Sequence, residues 1–238
     1  MSGHNKWSKI KRQKGAADQK RGNLFTKLGK AITIAAKEGG GNLESNFTLR
    51  LAVDRAKSAN MPNDNIDRAI KRGTGELAGE ELKQMIFEGY GPGGVALIID
   101  SLSSNRNRAS SSIRSILTKY GGKLGASGSV NWMFVRKGVI GLSSVNNKEE
   151  VELTAIDAGA EDIVEEDEGL AVFTKPEDLE RIRNKLEQND IAVDYFEIEM
   201  VPDARVDLSE KDKNAFSRLQ EALDASDEVS AFYSNAKD

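Results

Sequence analysis

The sequence has no cysteine, a single histidine (His4) and no long apolar run. Without cysteine the chain can form neither disulfides nor thiolate metal sites, and it has no cysteine nucleophile. One histidine leaves little for acid–base or metal chemistry. No stretch approaches the roughly 20 apolar residues that cross a bilayer, and the first residues lack the apolar segment of a secretory signal. We therefore expect a cytoplasmic, non-enzymatic protein that does not enter a membrane and carries no metal.

The composition is that of a folded chain. Of the 238 residues, 38% are hydrophobic and 30% are charged, which is enough apolar surface for a core. At roughly 100 to 150 residues per domain, the length predicts about two domains and allows three small ones.

The net charge of −4 conceals a strong asymmetry. Residues 1–75 contain 16 Lys and Arg against 6 Asp and Glu, a net charge of +10. Residues 76–238 contain 18 basic and 32 acidic residues, a net charge of −14. The first part of the chain should therefore attract polyanions, and the rest should repel them.

The first 30 residues are the most basic segment, and we predict that their cations contact nucleic-acid phosphates. Trp7 lies inside this run, where an aromatic ring can stack on a base or anchor the segment to the protein. The alternative is a solvated tail without a partner. Only Asp18 opposes the cations, which are Lys6, Lys9, Lys11, Arg12, Lys14, Lys20, Arg21, Lys27 and Lys30.

Apolar residues at helical spacing predict three helices before Gly75. The first begins near Gly22 and ends at the glycines 39–41. The second covers about 45–60 and is broken by Met61 and Pro62. The third covers 64–72, with Asn63 as its N-cap. Their cations extend the predicted binding surface, although complementation of the helix dipole would also explain the last two. These residues are Arg50, Arg55, Arg68, Lys71 and Arg72.

After Gly75 short strands alternate with helices at βαβ-type spacing, and separate strands are predicted at 130–135 and from Gly138. A helix from Ser209 and a strand at 229–233 follow Pro202 and have no partner nearby, so we expect them to return and complete the first α/β unit. The predicted fold class is α+β: an N-terminal three-helix domain and two small α/β domains, one inserted into the other. The expected domains are 1–75, 76–135 with 204–238, and 136–203.

Two motifs suggest ligand sites. Gly89–Gly94 matches G-x-G-x-x-G, but it leads into a predicted strand instead of a helix, so a hairpin turn without a dinucleotide cofactor is the better interpretation. Asn105, Arg106 and Arg108 stand where a helix follows a strand, and free N–H groups with two guanidiniums form a candidate anion site there. The alternative is an Asn N-cap beside two exposed arginines.

Several segments together resemble the YebC/PmpR family. They include the opening 2–7, the stretch 20–27, Met61 to Asn63, the glycine run 88–94, the helix start 105–108, the segment 121–134 and Met200 to Pro202. The resemblance covers essentially the whole chain. It implies three domains, and family members are described as transcriptional regulators that bind DNA, or as translational activators acting on messenger RNA or the ribosome.

The leading hypothesis is a DNA-binding transcriptional regulator, and the first alternative is a translational activator acting on the ribosome or messenger RNA. No helix offers a clear array of base-reading side chains, so RNA remains an alternative target. The second alternative is a protein-binding scaffold. In the scaffold the basic domain would dock onto an acidic partner, whereas in a nucleic-acid-binding regulator the acidic α/β domains are expected to position the protein or to contact other proteins.

Overall fold

The computed structural model describes residues 18–143, 147–166 and 169–237. The described residues form two compact units. The first unit contains residues 18–130 and 209–232, and the second contains residues 131–208 and 233–237, with the gaps stated above. The N-terminal helices and the first sheet therefore belong to one unit.

Three helices form the N-terminal part of the first unit: α1 (Asp18–Gly39), α2 (Phe47–Ser58) and α3 (Asn63–Gly73). All three predicted helices are confirmed. Their apolar faces meet in one core, to which α1 contributes Leu28 and Ile32 and α2 contributes Leu49 and Val53. The predicted N-cap at Asn63 is wrong: the helix already includes Asn63, Pro62 precedes it, and no side chain caps it.

Asn46 joins α1 to α2. Its side-chain oxygen accepts a hydrogen bond from Leu49 N, which caps α2, while its Nδ2 donates to the carbonyls of Ala35 and Gly40, both at 2.8 Å. The side chain is 6% exposed. A single amide thus satisfies backbone groups at the end of one helix and the start of the next.

The first sheet has the order β3-β1-β2-β8. Strands β1 (Lys83–Tyr90) and β2 (Ala96–Ser103) form an antiparallel hairpin, β3 (Lys123–Leu124) pairs with β1, and β8 (Ala231–Ser234) lies beside β2. Two further helices belong to the first unit, α4 (Arg106–Lys119) and α7 (Glu210–Ala225). The expected return of the C-terminal helix and strand to the first α/β unit is confirmed.

The second sheet has the order β5-β6-β4-β7. Its strands are β4 (Phe134–Leu142), β5 (Asp162–Glu166), β6 (Gly169–Thr174) and β7 (Tyr195–Pro202), with helices α5 (Lys148–Asp157) and α6 (Leu179–Gln188) between them. The pairs β4–β6, β4–β7 and β5–β6 are antiparallel.

Strand β4 also differs from the sequence prediction. Separate strands were expected at 130–135 and from Gly138, whereas the structure has a 3-10 turn at Asn131–Met133 and then one continuous strand. This strand passes through the expected domain boundary at 135/136. The division into three domains with those boundaries stays a prediction.

Seven α-helices and two four-stranded sheets in the described residues make the fold α+β, as predicted, with a helical region before the α/β units. None of the described helices is both long and apolar enough to span a bilayer.

Candidate nucleic-acid interface

Part of the predicted interface lies outside the described residues. Lys6, Trp7, Lys9, Lys11, Arg12 and Lys14 precede residue 18. Lys20 belongs to the first turn of α1. The roles assigned to these residues stay predictions.

Two predicted phosphate-binding residues of α1 contact the end of α7. Lys27 Nζ donates to the carbonyl of Asp224 at 2.6 Å, and Lys30 Nζ donates to that of Asp227 at 2.7 Å. Asn23 Nδ2 donates to Ala225 O at 3.2 Å. Positions 23, 27 and 30 share one face of α1, because they are four and three residues apart.

At residues 224 and 225 the chemistry of this contact is that of a helix C-terminus, and residue 227 lies in the turn that follows α7. The last carbonyls of a helix have no intrahelical donor and carry the negative end of its dipole, so ammonium groups are favourable partners. Lys27 and Lys30 are both half-buried. We call this contact the α1–α7 clasp, formed by Asn23, Lys27 and Lys30 with the carbonyls of residues 224, 225 and 227.

Arg50 closes the loop between α1 and α2. Its guanidinium donates to the carbonyls of Leu43 and Glu44, the latter at 3.1 Å, and lies 5.7 Å from the centre of the Phe47 ring. Arg55 is half-buried in the last turn of α2. Arg50 therefore has a structural task that the sequence pattern did not reveal.

Helix α3 brings three predicted cations together. Arg68, Lys71 and Arg72 are exposed and share a face, since they are three and four residues apart. Arg68 bends back on its own helix: Nε donates to Asp64 O at 3.1 Å and Nη2 donates to Asn65 Oδ1. Within the described chain, neither Lys71 nor Arg72 is within ion-pair distance of a carboxylate.

Two further cations of the helical region are exposed, Arg21 on α1 and Lys57 on α2. Arg21 lies 5.6 Å from the centre of the Phe25 ring on α1. Lys57, in the last turn of α2, is exposed and was not predicted as a site residue. Its position near Arg55 in the same basic helical turn could have indicated Lys57 from the sequence. Lys37, by contrast, pairs with Glu81 at 3.0 Å and lowers the pKa of that carboxyl by a hydrogen bond and by its charge.

At the candidate anion site at the start of α4, only one of the two predicted guanidiniums is free of a carboxylate partner among the described residues. Asn105 Oδ1 accepts from Arg108 N at 3.0 Å, which confirms the N-cap. Arg108 Nε donates to Glu228 Oε1 at 2.6 Å, so its charge faces a carboxylate. Arg106 lies 5.8 Å from the centre of the Phe87 ring. An anion here would meet Arg106 and the helix N-terminus, and the site stays a prediction.

Glu228 is stabilised as a carboxylate by this arrangement. Partial burial raises its pKa, but hydrogen bonds from Ser103 and Arg108, with the charges of Arg108 and Lys30, outweigh burial. The pKa of Glu228 is therefore lowered from its ordinary value.

The glycine run forms the turn of the β1–β2 hairpin. Pro92–Gly94 is a 3-10 turn in which Gly93 and Gly94 have φ of 69° and 77°, and β2 follows directly. The predicted hairpin turn is confirmed, and the helix that a dinucleotide fingerprint requires is not there. No cluster of three or more His, Asp or Glu side chains suited to a metal occurs in the part of the chain that the structure describes.

Comparisons with known proteins cover almost the whole chain. Residues 5–76 match the family model described as the TACO1/YebC protein N-terminal domain, and residues 82–236 match the one described as the TACO1/YebC second and third domain. Relatives named "Probable transcriptional regulatory protein" include one from Halothermothrix orenii, 49% identical over 99% of this chain and 94% of the relative. Another, from Moorella thermoacetica, is 50% identical over 99% and 95%.

A solved structure has the same fold. The crystal structure of a conserved hypothetical protein, Aq1575, from Aquifex aeolicus superposes with a TM-score of 0.84 at 40% sequence identity. The match covers 92% of this chain and 91% of that one. The resemblance read from the sequence segments is confirmed, and the chain belongs to the TACO1/YebC family.

Proposed function

We propose that this protein is a non-enzymatic, cytoplasmic regulator that binds nucleic acid through its basic N-terminal region, and that its target is duplex DNA in transcriptional control. The observation that carries the proposal is the net charge of +10 in residues 1–75 against −14 in residues 76–238. Neutralised phosphates release counterions, so such a segment gains affinity for any nucleic acid. The printed names of the relatives support a regulatory role.

Two groups stand apart among the described cations. Lys27, Lys30 and Arg50 donate to backbone carbonyls of the protein, and the first two attach α1 to α7. Lys71 and Arg72 are exposed on α3. We assign phosphate contact to the exposed group and to the cations before residue 18, and a supporting role to the clasp.

A second candidate is translational regulation through messenger RNA or the ribosome. The side chains of α3 favour it. Asn65 and Arg68 are the types of residue that read base edges, but here Arg68 donates a hydrogen bond to Asn65, so neither side chain is presented to a base in a duplex groove. Asp64 and Asp67 are exposed on the same helix and would repel the phosphates of a duplex groove. Recognition by phosphate contact alone suits RNA as well as DNA.

The proposal is tested by capturing the full-length protein from lysate at several salt concentrations and sequencing the DNA and RNA that accompany it. Enrichment of duplex DNA supports transcription, and dominance of ribosomal RNA supports the second candidate. Capture of proteins that survives nuclease, with no nucleic acid bound, supports a scaffold and overturns both.

A variant pair locates the binding charge. Reversing Lys9, Lys11, Arg12 and Lys14 to Glu should reduce the log–log salt slope for duplex DNA by up to about 3.6, at about 0.9 per phosphate contact. The control reverses Lys175, Lys185, Lys211 and Arg218, which are exposed in the acidic region and change the net charge equally. Equal slopes in the two variants would remove residues 9–14 from the mechanism.

A further inference from the structure

The first unit contains a shallow cleft of about 320 Å³ where the β1–β2 turn meets the loop between α4 and β3. Such a volume is at the lower end of the range of ligand sites, about 300 to 1,000 Å³. Backbone forms much of its surface. The residues that line it are Gly91, Gly93 and Gly94 from the turn, Gly121 and Gly122 from the loop, and the side chains of Tyr90 and Lys123.

Tyr90 and Lys123 form a fixed aromatic and cationic pair at one side of the cleft. They are register partners in the β1–β3 ladder, and Lys123 Nζ lies 5.3 Å from the centre of the Tyr90 ring. The Tyr90 hydroxyl donates to Ser129 O at 3.1 Å. The backbone of Tyr90 is therefore fixed by the strand pairing and its hydroxyl by Ser129, while Lys123 is exposed.

A second lysine extends the positive charge. Lys119 is exposed, and its Nζ lies 5.4 Å from the ring of Tyr120, the residue before Gly121. In the described residues no carboxylate lies within ion-pair distance of Lys119 or Lys123. This pair of lysines therefore presents uncompensated charge on a part of the chain that is strongly acidic overall.

The glycines leave the backbone beside these lysines uncovered. Gly93, Gly94 and Gly121 have φ of 69°, 77° and 80°, a conformation that other residues rarely adopt. A Cβ built on Gly94 or Gly121 would meet no atom within 4 Å, so both positions face open space. A flat ligand can approach such a surface closely.

We propose that this cleft binds one unpaired nucleotide of a single-stranded nucleic acid. Its phosphate lies against Lys119 and Lys123, and its base lies along the glycine backbone beside Tyr90. Base–aromatic contact and a basic groove are the usual elements of single-strand binding. A duplex keeps its bases paired and stacked, so it offers the tyrosine no free base and should not occupy the cleft.

This inference rests on the proposed function and adds the form of nucleic acid that the protein meets. It also assigns nucleic-acid contact to the α/β part of the first unit, in addition to the basic residues 1–75. A purely structural role for the two lysines, through their tyrosine rings, would change stability without changing affinity.

The test compares two double variants of the full chain. Lys119→Glu with Lys123→Glu alters the cleft, and Lys175→Glu with Lys185→Glu changes the net charge equally on exposed lysines of the second unit. The probes are a fluorescent 12-nucleotide single-stranded RNA and a duplex DNA of the same sequence. Anisotropy titrations at several salt concentrations give the affinity and the salt slope.

We expect the cleft variant to bind the single strand at least tenfold more weakly than the control variant, with a slope lower by about 0.7, the value for one phosphate contact. Affinity for the duplex should be alike in the two variants. Equal losses for the single strand, or a wild-type protein that binds only the duplex, would overturn the cleft and leave the proposed function standing. A wild-type protein that binds neither probe would overturn the proposed function itself.

If the glutamate variant does not fold, Lys119→Gln with Lys123→Gln is compared with Lys175→Gln with Lys185→Gln. Circular dichroism first verifies that each variant is folded. Weaker single-strand binding of the cleft pair alone supports the proposal, and equal binding overturns it.

Discussion

The α1–α7 clasp gives Lys27 and Lys30 a structural role, although the sequence pattern predicted phosphate contact for both. We predict that replacing both by methionine lowers the stability of the first unit and leaves the salt slope for duplex DNA unchanged. Methionine keeps the long aliphatic side chain and removes the ammonium donor. The carbonyls of Asp224 and Asp227 then lose their Nζ donors, at 2.6 and 2.7 Å.

The magnitude follows from the environment of each bond. A hydrogen bond from a charged donor contributes about 1.5 to 3 kcal/mol when it is shielded from water. The bond of Lys27 is partly buried, so the lower end, about 1.5 kcal/mol, applies to it. The bond of Lys30 is exposed, and screening reduces it to about 0.5 kcal/mol. The double variant should therefore lose about 2 kcal/mol of unfolding free energy.

Urea unfolding followed by circular dichroism measures the loss, and DNA titration at several salt concentrations measures the slope. Lys57→Met is the control, because Lys57 is exposed in α2 and should cost less than about 0.5 kcal/mol. An unfolding free energy equal to wild type would show that the clasp does not stabilise the protein. A slope reduced by about 1.8 would place both lysines on phosphates instead.

Three further predictions concern single side chains. Glu88, 6% exposed, accepts from Gly128 N at 2.6 Å and Val130 N at 2.7 Å, so Glu88→Gln should lower the unfolding free energy by about 2 kcal/mol in urea titrations, whereas the exposed Glu149→Gln should not. Asn46→Ala removes the α2 cap and two donated bonds and should cost about 2 kcal/mol by the same measurement, and a loss below about 0.5 kcal/mol would contradict the described junction. Because the pKa of Glu228 is lowered from 4.5, its contribution is present above that pH and lost as the pH falls through the folded-state value. The urea midpoint should thus fall less between pH 6 and pH 3.5 in Glu228→Gln than in wild type, and an equal fall in both would refute the assignment.

The sequence was sufficient for the helices because their signals are local. Spacing of apolar residues and the glycines at 39–41 located α1, and Met61 with Pro62 located the break after α2. The C-terminal return was also predictable, since a helix and strand without neighbours need a sheet to complete. The continuous strand β4 was not, because no residue near 135 distinguishes one strand from two.

The candidate interface, unlike the helices, could be predicted only in part. That residues 1–75 attract polyanions follows from counting charges, but which lysines are occupied by the protein depends on partners far along the chain. Lys27 and Asp224 are 197 positions apart, and nothing local to either residue indicates their contact. The cleft beside Tyr90 was missed for the same reason, because its two loops are 30 residues apart and only the β1–β3 pairing brings them together.

The interrupted first unit has a consequence for how the protein is made. Residues 209–232, which supply α7 and part of the edge strand β8, are synthesised only after residues 131–208 of the second unit. Until then β2 has an open edge and the lysines of α1 have no helix end to hold. Helix α1 therefore completes its contacts with α7 only late in synthesis.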